Sequence, residues 1–337
     1  MNRREFLRSV AAISALGAVE FTPWQAVSAF AREVDDFVRG PAIKDYPLRQ
    51  ISRHVSIIFT PDAFPTPENQ GMMSNVTFVN TSKGIVVVDT GASVQIGEMS
   101  IRQLEKHLKK PVIAIINTHY HGDHWLGNHA YVDRFGDSLP IYAHPGTIQA
   151  VKGIQGSLWL TLIEKSTNQA SLGTRIVPPN TPLEHGAVLK FGDVTLRIHH
   201  YGTVHTPFDL CVEVVQDGVT LVGDIAMDRR IANMDDGSYL GTFKAYDTLI
   251  KKTGTRIWLP AHGEPGEHVL KWNRELFEGI YRPCEQAVKD GLALEDAKAL
   301  VLKDPRVASR AKETKGFEAN IGKYVSIAYL EAEAAGF

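Results

Sequence analysis

Six consecutive residues constrain this chain more than anything else in it: His119-Tyr120-His121-Gly122-Asp123-His124. Three imidazoles and a carboxylate this close together cannot all point one way on a strand or a helix, because strand side chains alternate and helical ones rotate around the axis. A loop can fan them around a small volume. That arrangement suits a tetrahedral cation that takes three protein ligands and keeps one position open. The preceding run, residues 112–116, is wholly apolar and reads as a strand buried on both faces. The fold must therefore deliver a ligand-bearing loop at the end of an internal strand, with Gly122 allowing a sharp turn between the ligand pairs.

The periodicity elsewhere fits that requirement. Residues 55–59, 75–79 and 85–89 are dense in β-branched side chains and bounded by turn residues, which predicts strands. Residues 97–109 have the spacing of an amphipathic helix, and helical patterns follow over 125–135 and 147–164. The second half repeats the theme, with strands expected at 194–199, 210–215, 219–222 and 256–259 and a helix near 242–252. Two strand-rich halves, each with its own helices, imply two sheets packed face to face and covered by helices. Strand signals stop near residue 265. Residues 267–287, 294–302 and 322–335 read as helices, an extension packed against the sandwich.

H-x-H-x-D-H after an apolar strand resembles the signature of the metallo-β-lactamase superfamily, and further elements of that signature follow in order. Gly202-Thr203-Val204-His205-Thr206-Pro207 is similar to the segment supplying the third histidine of the first metal site. Leu221-Val222-Gly223-Asp224 resembles the strand end with a metal-bridging aspartate, and Pro260-Ala261-His262-Gly263 the strand end with the last histidine. Asp89-Thr90-Gly91 resembles an element that supports the first ligand loop. The likeness runs from about residue 54 to 263 and implies an α/β fold, the αββα sandwich. On that division residues 32–53 are an N-terminal linker, 54–263 the metallo-β-lactamase domain and 264–337 a helical C-terminal extension.

The resemblance also implies a ligand set. His119, His121 and His205 would hold one metal, Asp123, His124 and His262 the other, and Asp224 would bridge them. Zinc, two ions per chain, is the implied cofactor, with a hydroxide between the ions as nucleophile and Asp123 as the catalytic residue that orients water and moves its proton. Superfamily members with iron pairs typically carry glutamate at the second histidine of the signature, where this chain has His121. No G-x-S-x-G offers a serine nucleophile. His129, His144, His185, His199, His200 and His268 belong to no motif and are expected in structural or surface roles.

The substrate follows less directly. The resemblance implies hydrolysis of an ester, thioester, lactone or lactam. β-Lactamases similar around His205-Thr206-Pro207 place a cysteine where Asp224 stands and a carboxylate-clamping lysine three residues later, here Met227; the nearest basic residues are Arg229 and Arg230. Weak β-lactamase activity is thus an alternative, as is an iron-dependent thiol or persulfide oxidoreductase of the same fold. Asp224 is similar to the bridging residue of glyoxalase-type thioesterases and lactonases. Exported dizinc hydrolases found with sulfur-oxidation and quinoprotein systems are similar at Asp224-Ile225-Ala226, Asn233-Met234-Asp235-Asp236-Gly237 and Asn320-Ile321-Gly322-Lys323-Tyr324-Val325.

Those relatives are exported, and the first residues of this chain predict the same for it. Asn2-Arg3-Arg4-Glu5-Phe6-Leu7 resembles a twin-arginine export signal; an apolar stretch over 10–19 and Ala29-Phe30-Ala31, an A-x-A-like cleavage site, follow it. Residues 1–31 are therefore expected to be an export signal that takes the protein to the periplasm. That apolar stretch is too short to span a bilayer stably and no later segment reaches the length of a transmembrane helix, so the mature chain is expected not to insert in a membrane. Lys+Arg 36 against Asp+Glu 38 leaves no basic excess to follow a phosphate backbone, which argues against nucleic acid and for a small-molecule substrate. Cys211 and Cys284 are compatible with one disulfide or with two buried thiols.

Overall fold

The computed structural model describes residues 38–336. The expected export signal, residues 1–31, and the first part of the expected linker lie outside the described residues. One sheet runs in the order β1 (Leu48–Gln50), β2 (Val55–Ile58), β3 (Val76–Thr81), β4 (Gly84–Val88), β5 (Val112–Ile116), β6 (Ile141–Ala143) and β7 (Thr181–Pro182). Its first four strands pair antiparallel; β4 to β7 pair parallel. The second sheet runs β12 (Ile257–Pro260), β11 (Val219–Gly223), β10 (Cys211–Val214), β9 (Val194–His199) and β8 (Val188–Phe191), parallel only between β11 and β12.

β4 shows why these runs make a sandwich. All five of its residues are buried. Alternation sends Val86 and Val88 toward the second sheet, where they join Ile198, Val212 and Leu221. Ile85 and Val87 point to the other side and pack with helix α1 (Val94–His107) through Ile96, Met99 and Leu104. The outer face of the second sheet is covered in the same way. Helix α6 (Tyr239–Lys252) sets Tyr246 and Leu249 on Val222 and Trp258.

Between α1 and α6 the chain forms α2 (Gly122–Trp125), α3 (Asn128–Phe135), α4 (Pro145–Lys152) and α5 (Ile154–Ser166). The patterns over 125–135 and 147–164 were each expected to be one helix, and each is broken at a glycine. At Gly127 a Cβ would meet the Thr90 carbonyl oxygen at 2.0 Å, so only glycine lets the backbone close on the end of β4. Gly153 separates α4 from α5. β1, inside the expected linker, and β6, β7 and β8 were not expected at all.

After β12 come α7 (Val269–Lys289), α8 (Leu294–Lys303), α9 (Pro305–Ala308) and α10 (Phe317–Gly336), so the C-terminal region is helical as expected. Leu276, Phe277, Ile280 and Cys284 recur at helical spacing on α7 and pack with Val301, Val307, Ile321 and Val325 into a core of their own. Cys211 and Cys284 are buried free thiols. Among the described residues no helix is long and apolar enough to cross a membrane.

Candidate metal centre

The carboxyl ends of β4, β5, β11 and β12 meet, and each delivers part of one site. Asp89 follows β4 with φ 56°, a left-handed conformation that aspartate tolerates better than most residues. Its carboxylate accepts from Thr118 N and Thr118 Oγ1, both at 2.8 Å, and lies 2.9 Å from His124 Nδ1. With Thr118 Oγ1 donating to Asp89, that hydroxyl is left to accept from His119 Nδ1 at 3.1 Å. One carboxylate thus fixes the tautomers of two histidines, directly and through Thr118, and turns both Nε2 atoms inward. His262 is set likewise, its Nδ1 donating to Met73 O at 2.7 Å.

Backbone contacts hold the rest. Ser74 Oγ donates to Asp123 O, Trp125 Nε1 to Tyr120 O and Asn117 Nδ2 to His124 O. Asn75 Nδ2 donates to Pro260 O and Gly263 O on either side of His262, both at 3.0 Å. The His205 turn is folded around Asp209, which accepts from His205 N, Thr206 N and Thr206 Oγ1. Gly223 reaches φ 55° just before Asp224, and a Cβ there would crowd Thr118 at 3.1 Å.

All seven residues expected as ligands come together, and all are buried. His119, His121, His205 and Asp224 form one group, and Asp123, His124 and His262 a second; within each the candidate ligand atoms lie within 4.8 Å of one another. Asp224 sits between the groups. Its Oδ2 is 3.5 Å from His205 Nε2 and 3.4 Å from His262 Nε2, and its Oδ1 is 3.6 Å from His124 Nε2. Asp123 Oδ2 lies 3.1 Å from His262 Nε2 and 3.3 Å from His124 Nε2. Five inward atoms, His119 Nε2, Asp123 Oδ2, His124 Nε2, Asp224 Oδ1 and His262 Nε2, are buried without a hydrogen-bond partner. Partnerless buried polar atoms are costly, and these converge on one volume. Five imidazoles and two carboxylates, with no sulfur, are a donor set that fits a divalent transition metal.

The electrostatics point the same way. Burial pushes the His119 and His121 imidazoles well below their usual range and His205 down to about 4, so these three are neutral and able to coordinate. Burial opposes charge on Asp123 and Asp224 too, but the neighbouring His124 and His262 outweigh it and hold both carboxyls well below the usual range. Against burial, Asp123 and Asp224 raise His124, and Asp224 raises His262. A cation bound between these groups would compete with any proton on the two imidazoles, so metal binding there is expected to be linked to pH.

Other side chains ring the site. Trp159 on α5 packs on His121 with ring centroids 4.5 Å apart, and Tyr120 OH donates to Asp236 at 2.6 Å. Met227 is buried where the lactamase-type lysine was looked for. Arg230 is buried with Nη1 4.0 Å from Asp224 Oδ2, its Nε donating to Ala63 O and its guanidinium over Phe64. Arg229 instead pairs with Asp228 and Glu313. The motif-free histidines stay out of the site: His199 pairs with Glu213, His268 with Asp228 and His129 with Asp133, while His144 stacks with Phe208 and His200. His185 packs on Tyr201. Asp209 and Trp159 went unnoticed in the sequence, whereas Arg230 was noted there with Arg229 as one of the nearest basic residues to Met227. Of the first two, only Asp209 left a signal, the turn-forming spacing Thr206-x-x-Asp209.

Comparison with known proteins agrees. The family pattern described as metallo-beta-lactamase superfamily matches residues 69–279. The metallo-beta-lactamase type 2 of Bacillus cereus is 25% identical over 205 residues, 60% of this chain and 71% of the relative. Among solved structures, a metallo-beta-lactamase from Pontibacter korlensis superposes with a TM-score of 0.53 at 20% identity, over 68% of this chain and 98% of the other. A double mutant of the sec-alkyl sulfatase PisA1 superposes with a TM-score of 0.67 at 18% identity, over 84% of this chain but only 50% of that longer one. With the sandwich, the ligand geometry and the family match in agreement, this chain belongs to the metallo-beta-lactamase superfamily and is a metal-dependent hydrolase.

Proposed function

We propose that the chain is a dizinc hydrolase of small molecules, cleaving an ester, thioester, lactone or lactam. The observation that carries this is the set of five partnerless buried atoms converging from two groups, with Asp224 in reach of histidines in both. His119, His121 and His205 would hold one zinc and Asp123, His124 and His262 the other, with Asp224 shared. Bound zinc supplies Lewis acidity, bringing the pKa of a water toward neutrality and polarising the oxygen of the bond to be cleaved. The protein's own part is positional. Asp89 and the Met73 carbonyl keep His124 and His262 in the tautomers whose Nε2 faces inward. Asp123, kept ionised by its histidine neighbours, presents Oδ2 to orient a water and take its proton. Trp159 and Tyr120 pack on either side of His121 and hold its ring in place.

The first test is metal content per chain and turnover on protein purified without added metal. About two zinc ions and hydrolysis of at least one of the four bond classes are expected. His119→Ala, Asp224→Ala or His262→Ala should lower metal content and abolish hydrolysis while the far-ultraviolet dichroism stays that of a folded sandwich. Full metal and activity in these variants would overturn the ligand assignment, and a single iron with oxygen uptake would replace the reaction. A β-lactam belongs in the panel because a curated relative is named a metallo-beta-lactamase; with Met227 at the clamp position, slow turnover is expected.

We also infer export to the periplasm, supported by the order of charged, apolar and A-x-A segments in residues 1–31. Fractionation of cells expressing the chain tests it. Arg3→Lys/Arg4→Lys should leave unprocessed protein in the cytoplasm, and unchanged periplasmic yield would refute the twin-arginine route.

A further inference from the structure

Helix α5 carries an apolar row on its outer face. Ile154, Leu158 and Leu162 follow one another at single-turn spacing and are 79%, 55% and 44% exposed. The row is continuous with the metal centre. Trp159, one turn before Leu162, lies against His121, and a Cβ on Gly122 would meet Trp159 Cβ at 2.8 Å. Trp159 also brings an unanswered donor: its indole Nε1 is buried with no hydrogen-bond partner. A molecule entering along α5 would therefore meet a hydrocarbon surface first, then one N–H, then the ligand histidines.

We propose that this row seats the hydrocarbon tail of an amphiphilic substrate whose cleavable bond lies at the metal centre, with Trp159 Nε1 donating to an oxygen at the junction of head and tail. The proposal rests on the hydrolase reading above and narrows its substrate to acyl or alkyl compounds. Two other occupants fit the surface less well. The three side chains together expose less than two whole residues' worth of surface, well short of the roughly 800 Å² per partner of a stable dimer. A helix lying on a lipid surface usually carries a basic polar face, whereas α5 has only Lys165, next to Glu164.

From Ile154 to Leu162 the row spans about 12 Å. Each methylene it covers fully should raise kcat/KM by up to about fourfold, until the chain outruns the row. The test uses the zinc-loaded full chain and p-nitrophenyl esters from acetyl to dodecanoyl. kcat/KM should climb at least tenfold along the series and then level off. Leu158→Ser/Leu162→Ser should flatten that slope, while Ile250→Ser, an exposed site on α6, should keep it. A flat series in the wild type with the acetyl ester cleaved, or an unaltered slope in the double variant, would overturn the proposal and leave the hydrolase reading standing.

If no ester is cleaved, the hydrolase reading fails separately, and calorimetry with ethyl and decyl sulfonate still decides the tail site. Decyl-selective binding lost in the double variant supports it; equal or absent binding of the two overturns it. A dimer that dissociates in the double variant, or adsorption to phosphatidylcholine vesicles that the variant abolishes, would assign the row to another occupant and likewise overturn it.

Discussion

At φ 56°, Asp89 occupies a backbone region that most side chains avoid, and it spends that conformation on His124 and Thr118. Asparagine tolerates the same region, so Asp89→Asn separates the charge from the backbone. If its oxygen keeps the bond from Thr118 N, its NH₂ faces His124 Nδ1, which can no longer donate. The imidazole must then carry its proton on Nε2, the atom that faces the metal volume. Zinc affinity should fall roughly 10- to 100-fold with the fold intact, measured by competition with a chromophoric chelator. Unaltered affinity would mean that the carboxylate does not set the tautomer. At this scale the sequence was informative wherever a residue belonged to a motif. All seven candidate ligands and Asp89 could be picked out, and the structure brings them together. Trp159 could not, because a tryptophan in an apolar helix looks the same whether it packs on leucine or on a ligand histidine.

Whole elements were legible in proportion to their burial and length. β4, β5, β9 and β11 are β-branched runs with apolar faces, and their expected limits lie within a residue of those observed. Strands that lack such a run were missed. β6 has three residues, β7 has two, one of them Pro182, and β8 alternates exposed with partly buried residues at a sheet edge. Their pairing comes from neighbours far along the chain, which local periodicity does not record. The helix break at Gly127 has the same origin. Gly127 ends a helix because Thr90 lies against it, a contact across 37 residues of sequence that composition alone cannot reveal. The candidate ligands, His205 apart, nevertheless follow the apolar strands β5, β11 and β12, so the site was more legible than the edges of the sheets that carry it.

The helical extension is bound to the metal domain through the segment that follows Asp224. Lys315 exchanges backbone hydrogen bonds with Arg229 and Ile231; on α10, Tyr324 OH accepts from Ala232 N, and Glu331 accepts from Tyr239 N. Residues 229–239, pinned in this way, include Asp236, which accepts from Tyr120 of the ligand loop. The extension is thus part of the site's scaffold. A chain ending at Gly316 should therefore fail as an enzyme by losing its fold, because removing α10 bares Phe277, Ile280 and Cys284 on α7. Tyr324→Ala is the graded version. Deleting a fully buried aromatic ring should cost about 3–5 kcal/mol, whereas Tyr324→Phe, which removes only the hydroxyl that accepts from Ala232 N, should cost about 1 kcal/mol. Denaturant unfolding of the zinc-loaded proteins measures both. If the chain ending at Gly316 unfolded at the same midpoint as the full chain and still bound metal, the extension would be a separable module, and segment 229–239 would hold its shape through the sandwich alone.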